Sequence, residues 1–288
     1  MTQAESETST PATAGKSGPG IININPKYIP NPHKDYQEDT LADIGNTNIK
    51  VCKINKNFKI MNTYLFQTRN PNLERDLRKK LKQLIKKDTN KKVLFSSVVP
   101  KIYKKIVKIF QRKKLKVFEI KEFNLKKIMK FKVKKYSQLG SDRIANAIGA
   151  YYKFKTNCIV IDFGTATTFD VIKKKGDYDG GIIAPGIKLS IENLFSSTAL
   201  LPMFQLKKYP KNYGKNTKEA LASGFFWGYE GLINNIIKKI VKKNGINFKI
   251  VLTGGYSYFF KNKLIKKVRI ENDITMQGII KIYKDFLT

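Results

Sequence analysis

Two short motifs, each an aspartate with a glycine two residues later, constrain the fold of this chain more than any other feature. The first spans Asp43–Thr47 (DIGNT) and the second spans Asp162–Thr165 (DFGT). Each follows apolar residues and precedes an alternating segment, which is the pattern of a β-hairpin. Because they lie about one domain length apart, they predict a duplicated α/β fold with a nucleotide between its halves. The alternative is a pair of ordinary, unrelated turns.

The residues of these turns suit phosphate bound together with Mg²⁺. A strand that ends at a carboxylate and turns through glycine and threonine places an anion, backbone N–H groups and a hydroxyl at one sheet edge. The carboxylate attracts the cation, while the amides and the hydroxyl bind phosphate oxygens. We therefore expect both turns to face a phosphate group.

Another carboxylate precedes the second motif. Asp142 lies beside Arg143, where the pattern predicts the start of a helix. Taken alone, Asp142 would be a helix cap and Arg143 a surface charge. The one histidine, His33, lies in an irregular segment, which argues against a Ser-His-Asp triad, a Cys-His pair or a histidine-ligated zinc site. Acid–base chemistry therefore falls to carboxylates or lysines.

The formal net charge is +34, and only six of the 56 basic residues are arginines. The lysines are spread through almost every segment, whereas nucleic-acid surfaces concentrate charge and favour arginine. We interpret the excess as the coding bias of an AT-rich genome, with only non-specific attraction of nucleic acid and other polyanions.

Three further features bear on location. No apolar run reaches the roughly 20 residues that span a bilayer, and the N-terminus lacks the pattern of a secretory signal. Cys52 and Cys158 lie in apolar runs without a CxxC partner, so we expect buried free thiols in a reducing compartment. These features predict a cytoplasmic protein.

Hydrophobic periodicity predicts the remaining elements. Strands are expected at 41–43, 49–54, 58–66, 93–100, 115–120, 159–172 (a hairpin) and 249–252, and helices at 73–85, 101–110, 141–152, 187–195, 217–241 and 274–286. Residues 180–186 are expected to form a glycine-rich crossing. Residues 1–20 are expected to be disordered and 21–38 to be irregular, which gives an extension (1–38), an N-terminal domain (39–153) and a C-terminal domain (154–288).

Eight blocks of sequence occur in a specific order. They are Asp43–Lys50, Ser96–Pro100, Gly140–Asn146, Asp162–Thr168, Gly180–Gly186, Thr198–Pro202, Gly214–Thr217 and Thr253–Gly255. Between about residues 40 and 285, this series resembles the type III pantothenate kinases of the sugar-kinase/actin superfamily. The combination of GSDR and DFGTATT is specific, whereas the isolated Gly-Gly pairs are not.

The resemblance implies two RNase-H-like α/β domains with ATP in the cleft between them. It also implies phosphorylation of pantothenate on its primary hydroxyl to 4′-phosphopantothenate, the first step of coenzyme A biosynthesis. The implied enzyme is a homodimer that uses Mg²⁺ with ATP and a monovalent cation, K⁺ or NH₄⁺.

The resemblance also implies roles for individual residues. By motif position, Asp142 is the proton acceptor, Asp162 binds the monovalent cation and Thr165 binds an ATP phosphate. The phosphate loop comprises Asp43, Ile44, Gly45, Asn46, Thr47, Asn48, Ile49 and Lys50, and pantothenate is held by Gly140, Ser141, Asp142, Arg143 and Thr217. Arg143 is expected to form a bidentate contact with the carboxylate of pantothenate.

Two rival functions remain open at this stage. One is a kinase of the same fold that acts on another hydroxy acid or on a sugar, and Arg143 beside Asp142 disfavours a neutral sugar. The other is a non-catalytic regulatory or nucleic-acid-binding relative. The presence of Asp43, Asp142 and Asp162 together disfavours the second rival, because phosphoryl transfer needs such carboxylates to hold cations and accept a proton.

Overall fold

Two six-stranded mixed sheets form the frame of the protein, which a computed structural model describes at residues 21–24, 38–85 and 88–288. The strands of the first sheet are β1 (Ile21–Ile24), β2 (Glu38–Ile44), β3 (Asn48–Asn55), β4 (Ile60–Gln67), β5 (Asp88–Ser97) and β6 (Lys116–Glu119). Their spatial order is β1-β4-β3-β2-β5-β6. β2, β3 and β4 are antiparallel, whereas β5 and β6 run parallel to β2 on its other side.

The second sheet repeats this plan. Its strands are β7 (Lys130–Phe131), β8 (Cys158–Phe163), β9 (Ala166–Ile172), β10 (Asp177–Pro185), β11 (Lys249–Gly254) and β12 (Val268–Ile270). Their order is β12-β11-β8-β9-β10-β7. β8, β9 and β10 are antiparallel, and β11 and β12 extend in parallel from the other side of β8. The equivalence of β2–β4 and β8–β10 confirms the predicted duplicated α/β fold.

Helices cover and separate the sheets. They are α1 (Leu73–Ile85), α2 (Pro100–Gln111), α3 (Ser141–Phe154), α4 (Ile187–Ser196), α5 (Thr217–Asn244), α6 (Ser257–Phe260) and α7 (Ile274–Phe286). α1 and α2 pack on the outer face of the first sheet, and α4, α5 and α6 pack on that of the second. α3 and α7 lie between the two sheets. Their buried residues share one core with Leu41 and Leu94 of the first sheet and with Val160 and Val251 of the second.

α3 and α7 cross at unusually short range because each contributes a glycine to the contact. A Cβ atom on Gly149 would lie 2.2 Å from the carbonyl oxygen of Ile274, and one on Gly278 would lie 1.9 Å from that of Ala145. Both distances are impossible for real atoms, so the two glycines fix how deeply α7 sits against α3.

The local sequence explains where the long helices begin and end. Pro100 occupies the first turn of α2, a position that has no use for its missing N–H group. The side chain of Asn216 accepts the backbone N–H of Glu219 at the start of α5. Gly245 ends α5 in a left-handed conformation at φ 63°. The predicted helices, including residues 274–286, are confirmed with small shifts at their ends.

Several sequence predictions are wrong in detail. The first strand was expected at 41–43, but β2 begins at Glu38 because β3 and β5 pair with it on both sides. Residues 21–38 were expected to be irregular, yet Ile21–Ile24 pair with the edge of β4. The predicted disorder of residues 1–20 lies outside the described residues. Residues 180–186 were expected to form a crossing, and they belong instead to β10 up to Pro185.

β7 and β12 were not predicted. β7 pairs with β10, so the chain enters the second sheet at Lys130. The division into an extension (1–38) and domains at 39–153 and 154–288 stays a prediction.

Candidate active site

The two predicted turns meet in the cleft between the sheets. The side-chain oxygens of Thr47 and Thr165 lie 3.3 Å apart, within hydrogen-bond distance. Both turns are built alike, since Gly45 N–H donates to the carbonyl of Asn48 at 3.0 Å and Gly164 N–H donates to that of Ala166 at 3.1 Å. This contact joins residues 118 positions apart and brings the two turns to one place in the fold.

The remaining residues of the first turn divide into two groups. Ile44 and Ile49 are buried in the outer core of the first sheet, so only their backbone is available to a ligand. Asn46 and Asn48 are exposed at the tip. Lys50 lies opposite Asp43 in the β2–β3 ladder, and its ammonium group lies 2.5 Å from Oδ1 of Asp273.

Three partly buried aspartates lie within electrostatic reach of one another in the cleft. Loss of solvation raises the pKa of Asp43 to about 6, and the nearby charge of Asp142 adds to this. Loss of solvation raises the pKa of Asp162 to about 7, again with repulsion from Asp142 and Asp43. Loss of solvation also raises the pKa of Asp142. A concentration of carboxylates with this electrostatic cost favours binding of cations.

Asp162 is oriented by its neighbours. The side-chain amide of Asn146, a fully buried residue of α3, donates to Oδ2 of Asp162 at 3.0 Å. Asn146 in turn accepts a 2.6 Å hydrogen bond from the hydroxyl of Thr275 on α7. Gly254 must be a glycine here, because a Cβ atom would lie 2.7 Å from Oδ1 of Asp162.

The segment Gly140–Arg143 forms the start of α3. The backbone N–H of Arg143 donates to Oδ1 of Asp142 at 2.7 Å. The hydroxyl of Ser141 donates to Oε1 of Glu119 at 2.6 Å, which ties this segment to the end of β6. Asp142 is not the helix cap, because Gly140 occupies that position. Glu119 had no signal in the sequence that marked it as part of the site.

Arg143 is held by a second residue that the sequence analysis missed. Its Nε donates to Oδ1 of Asp170 at 2.8 Å, and its Nη2 lies 2.7 Å from the same oxygen. The hydroxyl of Tyr178 also donates to this oxygen at 2.8 Å. The side chain of Arg143 is only 13% exposed, so the interpretation of Arg143 as a surface charge is wrong. Gly181 leaves room for the guanidinium, since a Cβ atom there would lie 2.1 Å from Nη2.

Thr217 lines a cavity that the residues described above do not line. It begins α5 and lines a cavity of about 540 Å³ whose other walls are largely apolar and include Leu194, Leu201, Leu221 and Phe225. Gly140–Arg143 do not line this cavity. Within one chain, the structure therefore brings together Asp43, Thr47, Lys50, Asp142, Asp162 and Thr165, whereas Thr217 lines a cavity that none of these residues lines.

Comparison with known proteins shows the family of the chain. The sequence profile of type III pantothenate kinase matches residues 41–239. A type III pantothenate kinase from Pelagibacter ubique (strain HTCC1062) is 46% identical over 242 residues, which is 84% of this chain and 96% of that relative. This chain belongs to the type III pantothenate kinase family. It is therefore a pantothenate kinase, an enzyme of coenzyme A biosynthesis.

Solved structures support the fold of the kinase. A protein assigned as a 2-dehydro-3-deoxygalactonokinase from Sinorhizobium meliloti aligns with a TM-score of 0.56 and 8% identity, covering 86% of this chain and 99% of that one. The ethanolamine utilization protein EutJ from Carboxydothermus hydrogenoformans aligns with a TM-score of 0.52 and 16% identity, covering 88% and 90%. At these identities the likeness concerns the fold alone, which is of the sugar-kinase/actin type.

The described part of the kinase contains neither a membrane-spanning helix nor a ready-made cluster of metal ligands. Among its described helices, none has the length and apolar character needed to cross a membrane. Within residues 21–24, 38–85 and 88–288, no three histidine, cysteine or acidic side chains are grouped so that they could hold a metal ion by themselves.

Proposed function

We propose that this kinase transfers the γ-phosphoryl group of ATP to the primary hydroxyl of pantothenate in the cleft where the two turns meet. The observation that supports this most directly is the 3.3 Å separation of the hydroxyls of Thr47 and Thr165. A triphosphate at that point would receive backbone N–H groups and hydroxyls from both halves of the fold. Phosphoryl transfer depends mainly on such positioning and on neutralisation of charge.

Cations complete the proposed site. Oδ1 of Asp43 is buried and makes no hydrogen bond of normal geometry within the described residues, although the hydroxyl of Ser96 lies near enough to this carboxyl to lower its pKa. It therefore fits a Mg²⁺ ion bound through phosphate oxygens or through water. Asp162, whose Oδ2 is held by Asn146, is the proposed ligand of K⁺ or NH₄⁺. When bound, these cations would neutralise charge on the transferring phosphoryl group. Thr165 and residues 43–50 would hold the phosphates.

Asp142 is the proposed proton acceptor for the hydroxyl of pantothenate. Its pKa is raised by loss of solvation, which strengthens it as a base. The hydroxyl loses its proton as the phosphoryl group arrives, so the base must lie beside the acceptor. The position of Asp142 in the first turn of α3, within electrostatic reach of Asp43 and Asp162, supports this role.

Arg143 is the proposed partner of the carboxylate of pantothenate, together with Gly140 and Ser141. Asp170 uses the edge of the guanidinium formed by Nε and Nη2. A guanidinium carries five N–H donors, so the opposite edge is the one proposed to bind the substrate. This differs from the simple expectation of a free Arg143, because one edge is already occupied.

We also propose that the kinase is a homodimer formed through the outer face of its second sheet. Large apolar side chains are exposed on and just after α4, which packs on this face, among them Phe195 at 42% and Leu200 at 93%. The apolar cavity containing Thr217 opens beside them. A second copy of the chain would cover this surface, as symmetric dimers do, and would close over the cavity that Thr217 lines.

Sedimentation equilibrium tests the dimer. Leu200→Glu should lower the association constant, whereas Ile246→Glu, which changes an exposed apolar residue elsewhere, should leave it unchanged. If the wild type has the molar mass of a monomer, equal to that of Leu200→Glu, the proposed interface is refuted.

The cytoplasm is the proposed location. Cys52 and Cys158 are both free and buried, which suits a reducing compartment. Recovery of the kinase from an extracytoplasmic cell fraction would contradict this location.

ATP consumption measures the proposed reaction directly. With Mg²⁺ and K⁺ present, pantothenate should stimulate ADP formation, and replacing K⁺ by Na⁺ should lower the rate. Stimulation that is independent of the monovalent cation would keep the substrate assignment and refute the role of Asp162. No stimulation by pantothenate in folded protein would refute the proposed acceptor, and a screen of other hydroxy acids would follow.

A further inference from the structure

The first turn of α7 contacts both halves of the nucleotide site. Thr275 reaches the second half through Asn146, and Asp273, just before the helix, reaches Lys50 of the first half. These contacts join residues 129 and 223 positions apart. The family profile ends at residue 239, so α7 lies beyond the region that the profile matches.

The hydroxyl of Thr275 determines which way the Asn146 side chain points. An asparagine amide presents an acceptor on one side and a donor on the other. Oδ1 of Asn146 accepts from Thr275 at 2.6 Å, which directs Nδ2 towards Oδ2 of Asp162 at 3.0 Å. The reverse orientation would place the amide oxygen against a carboxylate, where the two would repel each other.

Packing holds this chain of hydrogen bonds in place. Asn146 is fully buried and therefore has no water to replace a lost partner. Gly149 and Gly278 allow α7 to approach α3 so closely that Thr275 reaches Asn146. The ion pair between Asp273 and Lys50 ties the same turn to β3. The close contact with α3 and the ion pair to β3 therefore both fix the position of Thr275.

We propose that Thr275 is a positioning residue of the nucleotide site, acting through Asn146 on the carboxylate of Asp162. This inference rests on the proposed role of Asp162 in binding the monovalent cation beside the ATP phosphates. Residues that orient a cation ligand typically affect cation affinity or activity by about 10- to 100-fold. Thr275 orients the proposed cation ligand Asp162 in this way, through its hydrogen bond to Asn146.

The test compares Thr275→Val, which keeps the shape and removes the hydroxyl, with Thr275→Ser, which keeps the hydroxyl. Calorimetry measures the affinity of each protein for Mg²⁺·ADP in K⁺ and in Na⁺, and steady-state kinetics give KM for ATP and for pantothenate. Thr275→Val should bind Mg²⁺·ADP in K⁺ about tenfold more weakly. Its KM for ATP should rise while its KM for pantothenate stays near that of the wild type. Thr275→Ser should resemble the wild type.

Two further variants make the result decisive. Thr288→Val removes a hydroxyl that bonds only to the end of the same helix, and it should change neither affinity nor KM. Asp162→Asn should lose the K⁺ dependence, and adding Thr275→Val to it should cause little further loss because both act through one group.

Each contrary result has a separate meaning. Wild-type affinity in Thr275→Val, alongside a loss in Asp162→Asn, would overturn the positioning role and leave the proposed cation site standing. An unchanged K⁺ dependence of Mg²⁺·ADP binding in Asp162→Asn would refute the cation site itself. Any loss of Mg²⁺·ADP affinity in Thr275→Val would then have to arise by a route other than Asp162. Thermal melting of every variant identifies any that lose affinity only by unfolding.

Discussion

Four aspartates define the chemistry of the cleft at the scale of single residues. Loss of solvation raises the pKa of each: to about 6 for Asp43 and Asp170, to about 7 for Asp162, and in the same direction for Asp142. Arg143 offsets part of the effect at Asp170. The fold therefore holds these aspartates where their charged form is less stable than it would be in water, which is typical of functional sites.

These raised values predict how stability depends on pH. The folded protein binds protons that the unfolded chain, with an ordinary aspartate pKa of 3.8, has already released. Stability without ligands should therefore fall as pH rises through the window from about 4 to 7. Between pH 5.5 and 8, Asp162 alone accounts for an expected loss of about 2 kcal/mol in the free energy of unfolding, and Asp43 and Asp170 add to it. Urea denaturation at a series of pH values measures it.

A variant assigns the pH effect to the cleft. Asp162→Asn should flatten the dependence, whereas Asp285→Asn, at an ion pair with Lys281 on α7, should not. Stability that rises between pH 5.5 and 8 would contradict the proposed direction.

The role of Asp142 predicts a specific kinetic defect. Asp142→Asn keeps the shape of the side chain but cannot accept a proton, so kcat should fall by about 10²- to 10⁴-fold. Affinity for Mg²⁺·ADP should change little, because Asp142 is proposed to act on the acceptor. Rapid-quench kinetics and calorimetry measure the two effects. Retained turnover would remove Asp142 as the base.

Local sequence identified some of these residues and not others. Asp43, Asp142 and Asp162 lie within recognisable motifs, so their place in the site could be predicted. Asn146 and Thr275 could not be given roles, because their contact joins two helices that are distant in the sequence. Long-range hydrogen bonds depend on how helices cross, and no single segment contains that information.

At the scale of secondary structure, elements with strong periodicity were predicted from the sequence, whereas short edge strands were not. The hairpin of β8 and β9 and the helix α7 were predicted because alternation or helical spacing continues over many residues. β7 has two residues and β12 has three, too few to show a period. They form because the edges of β10 and β11 offer unpaired backbone groups.

The crossing of α3 and α7 leads to a prediction for Gly278. Alanine there would place Cβ 1.9 Å from the carbonyl oxygen of Ala145, forcing the helices apart at a cost of about 1–3 kcal/mol. Gly231→Ala in α5 is the matched control, since no atom lies within 4 Å of its new methyl group. It should be neutral or stabilise by up to about 1 kcal/mol. Urea denaturation compares them, and equal stability would mean that the crossing adapts without cost.

At the scale of the whole molecule, the active site is separate from the far edge of the first sheet. β1 pairs only with β4, and β3 lies between β4 and the strand that carries Asp43. We therefore expect β1 to support the edge of the sheet and residues 1–36 to be dispensable for catalysis.

Deletion of residues 1–36 tests this separation. kcat and both KM values should stay within about twofold of the wild type, while the exposed edge of β4 should increase aggregation. Deletion of residues 1–20 keeps β1 and should cause neither change. Turbidity and steady-state kinetics measure the two effects, and a large loss of activity would show that the extension supports the site.

The place of α7 between the sheets also affects how the protein can be made. Residues 274–286 are synthesised after both sheets, yet they complete the core that joins them. While the ribosome still holds this segment, the inner faces of both sheets lack part of their cover, and the side chains of Lys50 and Asn146 lack Asp273 and Thr275, respectively. A nascent chain stalled before residue 274 should therefore recruit chaperones that bind apolar surfaces, and release of the last helix should end that dependence.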